Sequence, residues 1–527
     1  MRPEDRERNV AETSWRAREL CLGFAILVAS CGGCGATQLP PFGQARVRVL
    51  TDAPVPGVVS RLRLDVYAGD GRWLESRDAS VREPSEWPVS FTVFSSDVSQ
   101  PARVRIRVRG YREGALRDYR GERYLAPPPA GASQGATPPE VPRTDEPRLL
   151  GASDRTPPSE PSPESAIDRM VWVTLAEGTV SDVSIVLRVA CAGTMADLRR
   201  DRTCIDGRGS VVGTPEASRE ERGVADWERR LVEDERRLPP PRAGRVAPEG
   251  TPLFDEEILV RGGAYVLGSR AETSRTFGPE LVVTAVPERV FVAPPLLVDK
   301  YEVTVGRFRD ATRRGFVPPD APITNDSPFN RETPGGLCTF VTVASFGASS
   351  RETMPVTCVS LPTARAFCRF EGGDLLTEAQ WEYLATAEAR SAKSAFPWGD
   401  YAPSCADAVF GRVVVPSPFE VGAPCGVGPA TLGPLPVDAG ARDETPSGVH
   451  GLGANVAEWV RGSYRPYDAA CWARAPLYDP ACEDSSQYLE MARGSSWVVD
   501  ALPTSATRIV VTGGSAYDSG IRCARLR

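Results

Sequence analysis

Ten cysteines constrain the fold of this chain more than any other feature of its sequence. They lie between Cys191 and Cys523 in a chain of 527 residues, and three further cysteines precede them. An even set in an exported chain indicates disulfide bridges, although the alternative is that some are buried free thiols. Sequence proximity predicts four bridges: Cys191 with Cys204, Cys338 with Cys358, Cys405 with Cys425, and Cys471 with Cys482.

The amino terminus has the form of a signal peptide. Arg16 and Arg18 precede an apolar run at residues 20–30 that is too short to span a bilayer. The run ends in L-V-A-S-C, which resembles the lipobox of bacterial lipoproteins. We therefore expect a lipoprotein signal peptide at residues 1–30, lipidation of Cys31, a tether at 31–44, and a lipid anchor in the cell envelope, facing the periplasm or at the outer membrane. The alternative is ordinary secretion with cleavage nearby.

Composition argues for a folded protein that does not bind nucleic acid. The apolar content of 41% is enough to build packed cores. The formal net charge is -7, from 62 basic and 69 acidic residues, so the chain lacks the broad positive field that nucleic-acid binding requires.

Residues 45–207 alternate apolar and polar side chains, as at 45–49 and 103–109, with Pro and Gly between the runs. This pattern predicts half-buried antiparallel strands, and their number predicts a small, immunoglobulin-like β-sandwich domain. We expect the alternating arginines to form a solvated outer face; the alternative is a binding stripe for an acidic polymer. Residues 126–167 are rich in Pro, Ser, Gly and Glu, which predicts a disordered insertion.

Residues 208–256 are predicted to be a linker. The stretch 217–238 carries many charges that favour a helix but few apolar positions, and the proline run at 239–241 should end that helix. We therefore expect a spacer between two domains.

Six ordered motifs characterise the carboxy-terminal domain, residues 257–527. They are R-G-G-A-Y-V-L-G-S at 261–269, D-K-Y-E-V-T at 299–304, P-V-T-C-V-S at 355–360 with L-L-T-E-A-Q-W-E-Y at 375–383 and P-W-G at 397–399, A-N-V-A-E-W at 454–459, R-G-S-S-W at 493–497, and G-I-R-C at 520–523. In this order and spacing the domain resembles the formylglycine-generating, or sulfatase-modifying-factor, family.

The resemblance implies an α+β fold related to C-type lectins, with a small twisted sheet, long loops and termini close together. It also implies a bridge between Cys368 and Cys523. The sequence itself predicts a helix at 377–390 with Thr377 as its N-cap. Four tryptophans are expected to pack in the core of this domain: Trp381, Trp398, Trp459 and Trp497.

The residues on which the family's catalysis depends are replaced. Active members use copper, held by two cysteines, to oxidise a sulfatase cysteine to formylglycine with molecular oxygen. With Ser496 aligned to the family's "G-G-S" element, those positions fall on Val499 and Thr504, and neither side chain can supply a thiolate. Ala457 also stands where the family has tryptophan. We therefore expect no copper and no catalytic residue here.

Another branch of the family holds iron with several histidines, but His450 is the single histidine of this chain. We expect it to be a loop residue and neither a metal ligand nor a catalytic base.

Calcium is the one cofactor that the resemblance leaves open. The carbonyls of Ala454 and Val456 and the carboxylate of Glu458 match family ligands, but the acidic side-chain position falls on Gly451, so the site should be weak. The resemblance implies a second calcium near Asp407 and Ala408. For both loops, a purely structural role is an equal alternative.

The sequence thus favours a non-catalytic envelope lipoprotein, bound to the membrane through its lipid and acting as a protein- or glycan-binding module. The alternatives are an active oxidase that makes formylglycine and an enzyme with a relocated catalytic centre.

Overall fold

The structure is a computed structural model. It describes residues 43–95, 101–118, 149–150, 153–154, 159–198, 200–206, 209–272, 275–277, 281–322, 324, 337–341, 351–412, 425, 432–483, 489–499, 501–511 and 516–526. The predicted signal peptide, Cys31 and most of the tether and the insertion lie outside these ranges. Within them, no helix is both long and apolar enough to cross a membrane.

Two sheets form the amino-terminal part. The strands are β1 (Gln44–Thr51), β2 (Arg61–Ala68), β3 (Trp73–Ser80), β4 (Val89–Phe94), β5 (Ala102–Tyr111), β6 (Leu116–Asp118), β7 (Leu149–Leu150), β8 (Ser153–Asp154), β9 (Ser159–Pro161), β10 (Ile167–Leu175), β11 (Val180–Leu187), β12 (Arg202–Cys204) and β13 (Val211–Gly213), with 3-10 turns at Pro84–Glu86 and Val189–Cys191. One sheet has the order β11-β1-β4, with β1 and β11 parallel, and the other has the order β10-β5-β2-β3.

Apolar side chains from both sheets join in one buried cluster. In β1, Val47 and Val49 are fully buried while Arg46 and Arg48 face solvent, as the period-two pattern predicts. Val104, Ile106 and Val108 of β5 enter the same cluster.

The arginines on the other face of β5 are buried, so the prediction of a solvated face is wrong there. Arg107 and Arg109 are 0% exposed. The Nη2 atom of Arg107 lies 2.6 Å from Asp168 Oδ2, and that of Arg109 lies 2.6 Å from Asp65 Oδ2. A buried charge is tolerated when an opposite charge and hydrogen bonds compensate for lost hydration, and these aspartates supply both. We call these residues the buried arginine layer.

The carboxy-terminal end of the predicted insertion is ordered, which corrects its boundary. Strand β9 pairs with β6, and Glu160 within it is 0% exposed. Glu160 lies 2.7 Å from Arg109, and Ser162 N donates to Ala115 O at 2.9 Å. Composition gave no sign of this order because the segment is held by ion pairs and backbone bonds more than by apolar burial.

The predicted linker is attached to both parts of the chain. Helix α1 (Asp226–Arg237) lies within it and ends just before the prolines, as predicted. Before the helix, Arg222 donates to Thr51 O of β1 at 2.9 Å; on the helix, Asp234 accepts from the Tyr478 hydroxyl at 2.9 Å. Two charged side chains of the predicted spacer, Arg222 and Asp234, therefore form hydrogen bonds with the parts of the chain on either side of it.

Short elements joined by long loops build the carboxy-terminal part. They are β14 (Glu257–Val260), β15 (Gly263–Leu267), β16 (Arg275–Phe277), β17 (Leu281–Val283), β18 (Arg289–Ala293), β19 (Leu296–Asp299), α2 (Val305–Arg313), α3 (Leu361–Phe370), β20 (Asp374–Leu375), α4 (Glu378–Thr386), β21 (Ala457–Ser463), α5 (Ala470–Ala473), β22 (Glu490–Arg493), β23 (Arg508–Val511), β24 (Ser519–Gly520) and β25 (Cys523–Arg525). Two four-stranded sheets have the orders β14-β19-β25-β20 and β23-β22-β21-β24. The first and last strands flank β19, so the ends of the domain meet.

Helix α4 begins as predicted and ends earlier. The Thr377 hydroxyl accepts from Gln380 N at 3.1 Å, and the Gln380 side chain accepts from Thr377 N at 2.9 Å, forming a capping box. All nine residues of the helix are buried. It stops at Thr386 and not at 390, because Ala387 already leaves helical geometry with a φ of -127° and Ala389 then adopts a φ of 49°.

Three of the four predicted core tryptophans are fully enclosed, namely Trp381, Trp459 and Trp497. Trp398 is the exception: it is half-buried and stacks on Phe396 with ring centroids 4.9 Å apart.

All five predicted disulfides are present. Cys368–Cys523 joins α3 to β25, and the other four are the pairs that sequence proximity indicated.

The β15–β18 hairpin is shared by two cores. Val266 and Val292 on one face enter the cluster of the amino-terminal sheets. Tyr265 and Phe291 on the other face enter the core around α4. Because successive side chains of a strand point to opposite faces, a single hairpin can serve both sides.

Candidate functional site

The first of the two family copper positions is filled by an apolar side chain in an apolar setting. Val499 packs with Trp398 and Leu502 against Ala408 and Phe410. Its carbonyl accepts a hydrogen bond from Gly411 N at 2.7 Å. This position packs the loops together and offers no electron pair from a side chain to a metal.

The second position has different surroundings. The Thr504 hydroxyl donates to Glu272, and Thr507, one turn further on, donates to the other oxygen of the same carboxylate. The carboxylate therefore holds the loop that carries Thr504. A hydroxyl in this role is neither the thiolate nor the soft ligand that copper chemistry requires.

Two further family positions are the aligned serine, Ser496, and the replaced tryptophan position, Ala457. Ser496 donates to Asp518 Oδ2 at 3.1 Å, and burial raises the pKa of Asp518. Ala457 is buried in the apolar cluster that contains Trp459, where its small side chain takes the place of the larger ring that the resemblance implies.

The one carboxylate among the predicted calcium ligands is already engaged by other donors. Glu458 Oε2 accepts from Trp381 Nε1 at 2.7 Å, and Oε1 accepts from Arg522 Nε at 2.7 Å, so both oxygens are engaged. Ala454 and Val456 are fully buried. Within the described ranges, no cluster of three His, Cys, Asp or Glu side chains is arranged to hold a metal. A calcium ion takes several oxygen ligands, and for the Glu458 carboxylate it would compete with the two hydrogen bonds from Trp381 and Arg522.

Gly451, where the resemblance implies an acidic calcium ligand, has no room for a longer side chain. Gly451 has a φ of 77°, and a Cβ atom placed on it would lie 2.8 Å from Glu302 Oε2. An aspartate could not stand here without displacing the Glu302 carboxyl group.

Both residues of the second predicted calcium position make other contacts. Asp407 accepts hydrogen bonds from the backbone and the hydroxyl of Ser404 at 2.8 and 2.7 Å. Those bonds keep the pKa of Asp407 below its ordinary value. Ala408 contributes to the apolar cluster around Val499.

Buried acids that the sequence did not single out surround Gly451. Glu302 is 0% exposed, and burial raises its pKa to about 8. Asp443 accepts from Gly453 N at 2.9 Å, and burial raises its pKa to about 7. Asn455 donates to Glu302 Oε1 at 3.2 Å. Glu302 and Asp443 therefore contact the backbone and side chains of the loops that meet at Gly451.

His450 is a buried residue of the loop between Asp443 and Gly453, and its backbone is hydrogen-bonded on both sides. Its backbone N donates to Lys300 O at 2.8 Å, and its carbonyl accepts from Arg522 Nη2 at 2.7 Å. Burial lowers the pKa of the imidazole, so the ring is neutral near pH 7.

A second buried charge network links two of the sequence motifs. Glu382 of α4 accepts from Arg493 at 2.5 Å, and Glu378 accepts from Arg508 at 2.8 Å. Burial would raise the pKa of Glu382, but Lys393 and Arg493 bring it below its ordinary value. The network ties the T-E-A-Q-W-E-Y helix to the R-G-S-S-W strand, which explains why these charged residues are enclosed.

Comparison with known proteins identifies the family of the carboxy-terminal domain. The profile of the sulfatase-modifying factor enzyme 1-like domain matches residues 243–527, more than half of the chain. Among curated proteins, the "Inactive C-alpha-formylglycine-generating enzyme 2" of Bos taurus is 28% identical over 188 residues, covering 34% of this chain and 53% of that protein. Its Mus musculus counterpart is 26% identical over 186 residues, covering 34% and 51%. The chain thus spans about half the length of these relatives.

Two solved structures are also similar. PvdO from Pseudomonas aeruginosa is 19% identical with a TM-score of 0.38, covering 55% of this chain and 99% of that one. CarF is 17% identical with a TM-score of 0.31, covering 52% and 98%. Since the family profile extends from the end of the predicted linker to the last residue and includes all six motifs, the chain belongs to the sulfatase-modifying-factor family, whose domain forms its carboxy-terminal part.

Proposed function

We propose that this protein is a non-catalytic recognition lipoprotein of the bacterial envelope. In this proposal a lipid on Cys31 anchors the chain, and an immunoglobulin-like β-sandwich together with the family domain presents a binding surface to another envelope component.

The observation that carries the proposal is the state of the two copper positions. Val499 lies in an apolar cluster and Thr504 donates to Glu272, so neither position can supply a thiolate. The ten cysteines of the described residues are all in disulfides, which removes their thiolates as substitutes. The word "inactive" in the names of both curated relatives supports extending the same idea to this chain.

The test of this proposal is an assay for formylglycine formation. Purified protein loaded with copper is incubated aerobically with a sulfatase-type cysteine peptide, beside an active family member as positive control, and the peptide is analysed by mass spectrometry. We expect no aldehyde from this chain. Aldehyde formation that is lost on substitution of Cys471 or Cys482 would identify a relocated centre and overturn the proposal.

The lipid anchor has its own test. Cys31→Ser should release the protein from the membrane fraction, because the thioether to the lipid cannot form. Cys34→Ser, three residues further along the tether, is the matched control and should stay in that fraction. Equal fractionation of both variants would refute the anchor.

A further inference from the structure

A cavity of about 440 Å³ lies between helix α1 and the last strand of the domain. Its described walls come from seven places: α1, the turn at Pro294 and Pro295, the start of β20, Gln380 of α4, Arg461 of β21, the segment around Tyr478, and the end of β25. The volume is within the usual range for small-molecule sites, about 300–1,000 Å³. We call it the α1 pocket.

Charges in the described lining of the α1 pocket are balanced. Three arginines and three aspartates face it: Arg230, Arg461, Arg525, Asp234, Asp374 and Asp479. A ligand with a net charge would be attracted by one set and repelled by the other at close range. The lining therefore selects against both anions and cations.

Two of the three arginines are held in place by glutamates outside the pocket. Arg525 donates from Nε to Glu257 at 2.7 Å, and Arg461 Nε lies 2.5 Å from Glu483. Because a guanidinium carries five N–H donors, both retain donors after these contacts. Side chains that are already fixed lose little conformational entropy when a ligand binds.

Asp479 is a partly buried acceptor in the pocket. Its backbone has a φ of 56°, in the left-handed region, and its Oδ1 accepts from Gln380 Nε2 at 2.7 Å. Burial raises the pKa of this carboxyl group, so further hydrogen bonds to its charged form would be stabilising.

A hydroxyl group can form hydrogen bonds with both the aspartates and the arginines of the lining. It donates to a carboxylate and accepts from a guanidinium, without bringing a charge into the pocket. Pro294, Pro295 and the edge of Tyr478 add apolar surface for C–H groups. We propose that the α1 pocket binds a neutral saccharide of one or two units, which deepens the recognition role proposed above and rests on it.

The test uses the full chain in detergent and saturation-transfer NMR. The probes are glucose, galactose, mannose, N-acetylglucosamine and a β-linked disaccharide of each, with glucuronate and glucosamine as charged analogues. At least one neutral probe should bind, and the charged analogues should bind at least tenfold more weakly.

Asp479→Asn should weaken that binding about tenfold, because an amide is a poorer acceptor than a carboxylate. Asp468→Asn is the control, since it removes the same charge from an exposed position of the same domain. Leu526→Trp, next to the end of the chain, is a second variant that adds bulk at the pocket and should also reduce binding.

Absence of binding by every neutral probe, or equal binding by wild type and both pocket variants, would overturn the saccharide assignment. Preference for glucuronate or glucosamine would overturn the charge argument. These results are distinguishable from failure of the proposed function, because the formylglycine assay does not depend on the pocket.

Discussion

Removing Asp168 tests whether the arginine layer of the amino-terminal sheets is truly desolvated. Asp168 is 0% exposed and accepts from Arg107 Nη2 at 2.6 Å, from Arg107 Nε at 3.1 Å, and from Ala196 N at 2.9 Å. Asp168→Asn keeps the size of the side chain but removes the negative charge that lies 2.6 Å from Arg107 Nη2. Loss of one partner of such a pair costs about 3–5 kcal/mol.

Hydrogen exchange followed by mass spectrometry measures this loss locally. Amides of β5 and β10, the strands that carry the pair, should exchange about two to three and a half orders of magnitude faster in Asp168→Asn, since about 1.4 kcal/mol corresponds to a factor of ten. The control is Asp182→Asn. Asp182 also pairs with an arginine, Arg46, at 2.6 Å, but their side chains are 29% and 59% exposed, so exchange in these strands should be unchanged.

The double variant Arg107→Met with Asp168→Leu separates charge from packing. With both charges gone, the buried ion pair no longer has to be compensated, although the Ala196 N–H loses its acceptor at a cost of about 1–3 kcal/mol; the double variant should therefore be more stable than Asp168→Asn alone. Equal exchange in Asp168→Asn and Asp182→Asn would show that water reaches the layer and would refute the reasoning.

Two further predictions concern the carboxy-terminal domain. The folded pKa of Glu302, about 8, lies above its unfolded value of 4.5, so the stability that its proton contributes is full below pH 4.5 and is lost as pH rises through 8. In EDTA, wild-type unfolding free energy should fall by up to about 1.4 kcal/mol per pH unit between pH 5 and 8, with a shallower fall in Glu302→Gln; parallel urea-unfolding profiles would contradict this. Replacing Cys368 and Cys523 by serine opens a loop with a sequence separation of 155 and should cost about 5 kcal/mol, against about 3 kcal/mol for Cys471 and Cys482 with a separation of 11. Thermal unfolding midpoints should follow that order, and the reverse order would count against the loop-entropy argument.

Local and pairwise features of this fold were predictable from the sequence. Thr377 was recognisable as an N-cap because its partner, Gln380, is three residues away. Cys191 and Cys204 are only 13 residues apart and pair as proximity suggested. The motifs located the family domain because each combines a strand or helix with its turn.

What could not be predicted depends on contacts between distant segments. The alternation in β5 shows that Arg107 and Val108 face opposite sides, but not that Asp168, 61 residues away, covers the arginine. In the same way, Glu302 is part of a recognisable motif, while its burial against Gly451 arises only when two loops meet. The α1 pocket has described walls from seven separate segments, and no local pattern marks it.

The shared β15–β18 hairpin makes the boundary between the two parts a site of correlated evolution. A larger residue at Val266 or Val292 would press on the amino-terminal sheets, while a larger one at Tyr265 or Phe291 would press on the core around α4. Each part has therefore become a packing constraint on the other. If either part is replaced by that of a homologue, the hairpin residues that pack against it should have to be replaced as well. The two parts should therefore be inherited together and should change together in evolution.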